Sequence, residues 1–155
     1  MKKMSRAERA KEYFQQGYAC SQAVALAISD LMNVGEEEIA KIMLPFGGGL
    51  GRLRLTCGAV SGMAAVVGSV LSEKENTPEN KKRIYAVVQE LCGKFQAENG
   101  SLICGELLQG VKIPVEVGGV AEERTREYYK KRPCGELVYC AADILEKYLQ
   151  EQGII

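Results

Sequence analysis

Apolar residues recur along this chain at helical intervals almost throughout. Ser5 is placed to cap a first helix, which Gly17 ends. A second helix is expected from about Cys20 to Met32, where Val24, Leu26, Ala27, Ile28 and Leu31 give a largely apolar surface. Glu36 to Leu44 reads as a short third helix, opening with three glutamates at the positive end of its dipole and broken by Pro45 and the glycines behind it. Cys57 to Leu71 is a continuous small and apolar run, read as a buried helix. Thr77-Pro78-Glu79 then supplies a cap, a proline at the first helical position and an acid. Behind it Ile84, Val87, Val88, Leu91, Cys92 and Phe95 fall at i, i+3, i+4, i+7, i+8 and i+11, an amphipathic stripe that Asn99-Gly100 closes.

The C-terminal third is less regular. Ser101 to Gln109 reads as a short helix. Residues 111–120 have the one strand-like pattern, although Pro114 and the glycine pair Gly118-Gly119 fit a loop equally well. Glu122 to Lys131 reads as a charged helix. Pro133 introduces a last one from Cys134 to Gln152, with Leu137, Ala141, Ile144, Leu145 and Tyr148 on one face. The pattern predicts an all-α bundle of about six or seven helices in a single domain over residues 1–155, with a Gly-rich loop before a central buried helix.

Length and charge narrow the function classes. The chain has 155 residues, 46% of them hydrophobic and 26% charged, which suits one hydrophobic core. Twenty basic residues balance twenty acidic ones, so there is no electrostatic ground for nucleic acid or an anionic membrane as partner. Histidine is absent, which removes imidazole acid–base chemistry, histidine metal ligands and Ser–His or Cys–His dyads. The start, MKKMSRAERAKEYF, is basic with no apolar stretch behind it, so a cytoplasmic location with reduced thiols is expected. The run from Cys57 to Leu71 falls short of the about 20 residues that cross a bilayer, and membrane insertion is not expected.

The six cysteines are then the richest chemistry left. Cys92 and Cys140 fall on apolar helix faces and read as small core hydrophobes. The other four, Cys20, Cys57, Cys104 and Cys134, each stand at a predicted helix start just after a chain break, and CGELL at Cys104 is nearly repeated as CGELV at Cys134. A helix N-terminus exposes unpaired N–H groups and about half a positive charge, both of which favour thiolate over thiol. Gly47, Gly48, Gly49 and Gly51 permit backbone angles closed to other residues, and Gly58 and Gly62 give the next helix a small face. Together these predict a tight placement of Cys57 against other helix tips. The glycine run lacks the G-K-[ST] ending of a phosphate loop. Arg52 and Arg54 stand ready to add positive charge near Cys57, with solvated side chains as the plainer expectation. Tyr18, Tyr128, Tyr129 and Tyr139 are pocket candidates for which packing is the plainer expectation. Ser21 and Gln22 are candidates to hydrogen-bond a sulfur at Cys20, with helix capping the plainer role for Ser21.

The order Gly17-Tyr18-Ala19-Cys20-Ser21-Gln22-Ala23, then Cys57-Gly58-Ala59-Val60-Ser61-Gly62, then single cysteines at 104 and 134, resembles the C-GCAxxG-C-C family of redox-active proteins over about Glu8 to Leu149. The resemblance implies a small redox-active protein whose signature cysteines are Cys20, Cys57, Cys104 and Cys134. The family is also distantly similar to a domain of split-Soret cytochromes. This chain has no C-x-x-C-H site and no histidine, which excludes haem ligation of that type.

Three functions compete. The first is thiol-based redox chemistry, in which two or more of the four signature cysteines cycle between dithiol and disulfide; no C-x-x-C is present, so folding must bring any pair together. The second is a four-thiolate metal site formed by the same residues, with an iron–sulfur cluster or Zn as cofactor. The third is a non-catalytic helical binding module. An unidentified redox partner protein or a small thiol is the expected partner, and the small-residue helix faces leave a homodimer open.

Overall fold

The computed structural model describes residues 3–155. Ser5 starts helix α1 (Arg6–Gln15) with reciprocal bonds: its hydroxyl accepts from the Glu8 N–H, and the Glu8 carboxylate accepts from the Ser5 N–H, each at 3.1 Å. Gly17 turns the chain at φ 102°. Helix α2 (Cys20–Ala27) is buried at every position from Ser21 to Ala27 and forms the centre of the molecule. It ends five residues short of Met32. The Arg6 guanidinium takes the Ala27 carbonyl at 3.2 Å and pairs with Asp30 at 2.6 Å, and a 3-10 turn over Ser29–Leu31 follows.

The remaining helices are α3 (Glu36–Met43), α4 (Gly58–Leu71), α5 (Pro78–Asn99), α6 (Cys104–Gly110), α7 (Arg126–Lys131) and α8 (Cys134–Glu151). The all-α expectation holds, and no named strand occurs among the described residues. Thr77 caps α5 by accepting the Asn80 N–H at 3.1 Å, and Gly100 ends it at φ 90°. Of its stripe only Leu91 and Phe95 are fully buried, because α5 lies on the outside of the bundle. Helix α1 packs between α2 and α8, and one cluster of buried side chains joins α1, α2, α4, α5 and α8. No helix among the described residues is long and apolar enough to cross a membrane.

Two segments where the sequence pattern was ambiguous or overlong are resolved. Residues 111–120 form a loop, which continues to Thr125. The charged helix is confined to Arg126–Lys131. The reason lies in the residues before it. Glu122 is ion-paired with Arg132, and Arg124 lies over the Phe14 ring, 4.3 Å from its centroid, while donating to the Phe14 and Tyr18 carbonyls at 3.1 Å each. Those contacts hold the chain extended until Thr125 caps α7 by accepting the Tyr128 N–H.

Helix α4 crosses α2 at close range because two of its positions lack side chains. A β-carbon on Gly62 would lie 2.8 Å from the Ser21 carbonyl oxygen, and one on Gly58 would lie 3.2 Å from Cys20 Cβ. Gly68, on the same helix, would meet nothing within 4 Å. Gly62→Ala is therefore expected to lower stability by about 1–3 kcal/mol through overpacking. Gly68→Ala is expected to raise it by about 0.5–1 kcal/mol through the lost entropy of glycine. Urea melts of the two variants check the contrast; equal shifts would contradict the close approach of α2 and α4.

Candidate functional site

The Gly-rich segment is a left-handed knot of backbone. Gly48, Gly49 and Gly51 have φ of 64°, 72° and 57°, and the intervening or following Leu50, Arg52 and Arg54 have 69°, 62° and 61°. Left-handed backbone costs a non-glycine residue about 1–2 kcal/mol, so these three are held there by their surroundings. Backbone bonds supply the hold: the Gly51 N–H donates to the Pro45 carbonyl and the Leu55 N–H to the Gly49 carbonyl, both at 2.8 Å. A β-carbon on Gly49 would stand 2.6 Å from Cys104 Cβ and 2.7 Å from Arg54 Cα. Glycine at 49 is thus required twice, by its φ and by the thiol-bearing residue pressed against it.

The outgoing end of the knot then runs beside the start of α6. The Cys57 N–H donates to the Leu102 carbonyl at 2.8 Å, the Cys104 N–H to the Leu55 carbonyl at 2.6 Å, and the Gly105 N–H to the Arg54 carbonyl at 3.0 Å. Thr56 and Ile103 form an isolated antiparallel bridge. These bonds set Cys57 and Cys104 on adjacent strands of chain. Gly58, next to Cys57, abuts Cys20 at the tip of α2. Cys134 begins α8, which lies along α1. All four signature cysteines consequently line one cavity of about 360 Å³.

Four arginines line that cavity too, Arg52, Arg54, Arg124 and Arg132, against a single carboxylate, Glu122. They also tie down the loop of residues 111–125. Arg52 donates to the Val120 carbonyl, Arg54 Nε donates to the Glu116 carbonyl at 2.8 Å, and the Gly118 N–H donates to the Arg52 carbonyl at 2.9 Å. The loop becomes a strap across the thiol cavity, contributing Gly119, Ala121, Glu122 and Arg124 to its wall. Arg54 Nη1 lies 3.6 Å from Cys104 Sγ.

The thiols are not equivalent. Interaction with the neighbouring Cys20 thiol, together with the charges of Arg132, Arg124 and Arg54, holds Cys134 below the ordinary thiol range despite its burial. The same interaction and burial push Cys20 well above it. Burial pushes Cys57 up to about 12, even though the Ala59 and Val60 N–H groups at the start of α4 favour its thiolate. The helix-tip effect expected for all four cysteines is therefore visible at Cys57, where desolvation outweighs it. At Cys104 the first N–H groups of α6 are occupied by the Leu55 and Arg54 carbonyls.

Other sequence candidates fall differently. Cys92 and Cys140 are half-buried against the core, away from the cavity, and burial raises both thiols, Cys140 to about 11 with help from Glu98. Ser21 and Gln22 do not bond a sulfur. The Ser21 hydroxyl donates to the Met43 carbonyl at 2.6 Å, while Gln22 accepts the Ala19 N–H and donates to the Ala40 carbonyl, each at 2.8 Å. Of the tyrosines only Tyr128 lines the cavity; Tyr18 packs on Tyr13, Tyr129 packs on Phe14, and Tyr139 is exposed. Arg52 and Arg54 are turned to the cavity and the strap, not simply solvated. Among the described residues no three Cys, Asp or Glu side chains are gathered closely enough to hold a metal ion. Sequence reasoning passed over Arg124, Arg132 and Glu122. Arg132 had a signal, since it stands two residues before Cys134 as Arg54 stands three before Cys57; Arg124 had none.

Fold and site together define an all-helical protein with cysteines from four chain segments around one cationic cavity. A family model described as "Putative redox-active protein (C_GCAxxG_C_C)" matches residues 18–148, and the chain belongs to that family. No curated protein and no solved structure matches it at a significant level.

The order of thiol acidities is directly measurable. Alkylation by iodoacetamide, followed residue by residue with mass spectrometry across pH, is expected to give Cys134 a midpoint below the about 8.5 of a free cysteine. Because its folded value is lowered, Cys134 reacts at neutral pH, while Cys20 and Cys57 stay protonated and slow. Arg132→Gln is expected to move the Cys134 midpoint upward. A Cys134 midpoint at or above 8.5 in the unaltered protein would contradict this electrostatic reading.

Proposed function

We propose that this protein carries out thiol–disulfide exchange with Cys134 as the attacking thiolate and Cys20 as the resolving thiol. The observation that carries the reading is the placing of Cys20 and Cys134 in one cavity lined by four arginines, where the two thiols are pushed in opposite directions. Cys134 is biased toward thiolate and Cys20 toward thiol, the division of labour that exchange requires. Attack by Cys134 on a disulfide forms a mixed disulfide and releases one thiolate. That step removes the negative charge that held the Cys20 proton. The proton passes to the departing thiolate, and Cys20 then attacks Cys134 Sγ, releasing the second group as a thiolate that takes a proton from water. Two electrons leave the protein dithiol and a Cys20–Cys134 disulfide remains; a dithiol reductant reverses the sequence. Cys57 and Cys104 line the same cavity and complete its set of thiols.

Mild oxidation followed by peptide mapping under non-reducing conditions tests the pairing. A Cys20–Cys134 disulfide is expected, with the loss of two hydrogens from the intact mass. Cys134→Ser is expected to abolish it, and Cys92→Ser or Cys140→Ser to leave it in place. A disulfide that forms equally well in the Cys134→Ser variant, or a chain whose thiols never pair, would defeat the assignment.

A further inference from the structure

The thiol cavity carries an excess of positive charge, with four arginines against one carboxylate. Cys134 is served by Arg132, Arg124 and Arg54. Arg52 also lines the cavity. Its Nε is buried without a hydrogen-bond partner among the described residues, although its terminal nitrogen bonds the strap at Val120. A buried, unpaired guanidinium nitrogen is a costly arrangement that an incoming acceptor would relieve. Only Glu122 opposes the four arginines lining the cavity, and it is already paired with Arg132. The cavity, about 360 Å³, has the volume of a small-molecule site.

We propose that the cavity selects small disulfides that carry carboxylates, with Arg52 and Arg54 binding the carboxylates while the disulfide lies against Cys134. The inference rests on the exchange reading above and supplies its substrate class. Guanidinium groups fit carboxylates because the planar fork can donate two parallel bonds, and they gain strength inside a partly enclosed site. Arg54 is held between Cys104, at 3.6 Å, and the Glu116 carbonyl, at 2.8 Å, which fixes its head beside the thiols. The chemistry is balanced by the substrate itself. The disulfide R–S–S–R takes two electrons from the Cys20–Cys134 pair and the Cys20 proton, and leaves as one R–SH and one R–S⁻, which takes its proton from water.

Three disulfides of similar length and different charge test the assignment. The probes are 3,3′-dithiodipropionate, which is dianionic, 2-hydroxyethyl disulfide, which is neutral, and cystamine, which is dicationic. Formation of the Cys134 mixed disulfide is followed by mass spectrometry at low ionic strength. Each rate is divided by that of the same probe with a free thiol at the same pH. The dianion is expected to exceed the neutral probe by about tenfold or more, with the dication slowest, and added salt should compress the series. Arg52→Gln is expected to lower the dianion-to-neutral ratio and Glu122→Gln to raise it, so the prediction does not depend on one variant's folding. Equal normalised rates for all three probes, with reaction still at Cys134, would overturn the substrate class and leave the exchange reading standing. No mixed disulfide at Cys134 with any probe would overturn the exchange reading itself.

Discussion

The site depends on one close contact, the seating of the Gly49 backbone against Cys104. A side chain at residue 49 would strike both Cys104 Cβ and the backbone of residues 54 and 55. With glycine there, residues 54–57 can lie beside residues 102–105 and exchange the backbone bonds that bring Cys57 and Cys104 together. Gly58 extends the same principle by letting α4 meet the tip of α2, which places Cys20 beside them. Three of the four thiols are thus positioned by absent side chains. Cys134 joins them through the packing of α8 on α1.

Bringing thiols into a partly enclosed cavity costs reactivity unless charge compensates, because burial favours the neutral form. The cavity shows both outcomes side by side. Cys57 has two helical N–H groups that favour its thiolate and is still pushed up by burial. Cys134 has a neighbouring thiol and three arginines, and is held below the ordinary range. Full charges and a neighbouring thiol prevail where two backbone dipoles do not. The strap is part of this balance, since Arg124 belongs to it and Arg52 and Arg54 are fixed by its carbonyls.

Much of the fold was legible because helix boundaries carry local chemistry. Ser5, Thr77-Pro78 and Gly100 act in the structure as their residue types predict. The four cysteines could be singled out by their place after chain breaks, and they share a wall. What could not be read depends on contacts distant in sequence. Arg124 is held by Phe14 and Tyr18, and nothing near residue 124 announces that partner. The same contacts shorten the charged helix expected from Glu122. Sequence position placed every signature cysteine at a helix tip, but it could not say which thiol would be the acidic one. That was decided by Cys20 meeting Cys134 and by guanidinium groups arriving from three separate segments.

The central claim is that Cys20 acts on Cys134 directly, across the cavity. The most direct measurement is the reaction midpoint of Cys134 in the Cys20→Ala protein, with Cys92→Ala as reference. Removal of the thiol at 20 should raise the midpoint, and removal of the distant thiol at 92 should leave it unmoved. An identical midpoint in both proteins would contradict the pairing on which the functional reading stands.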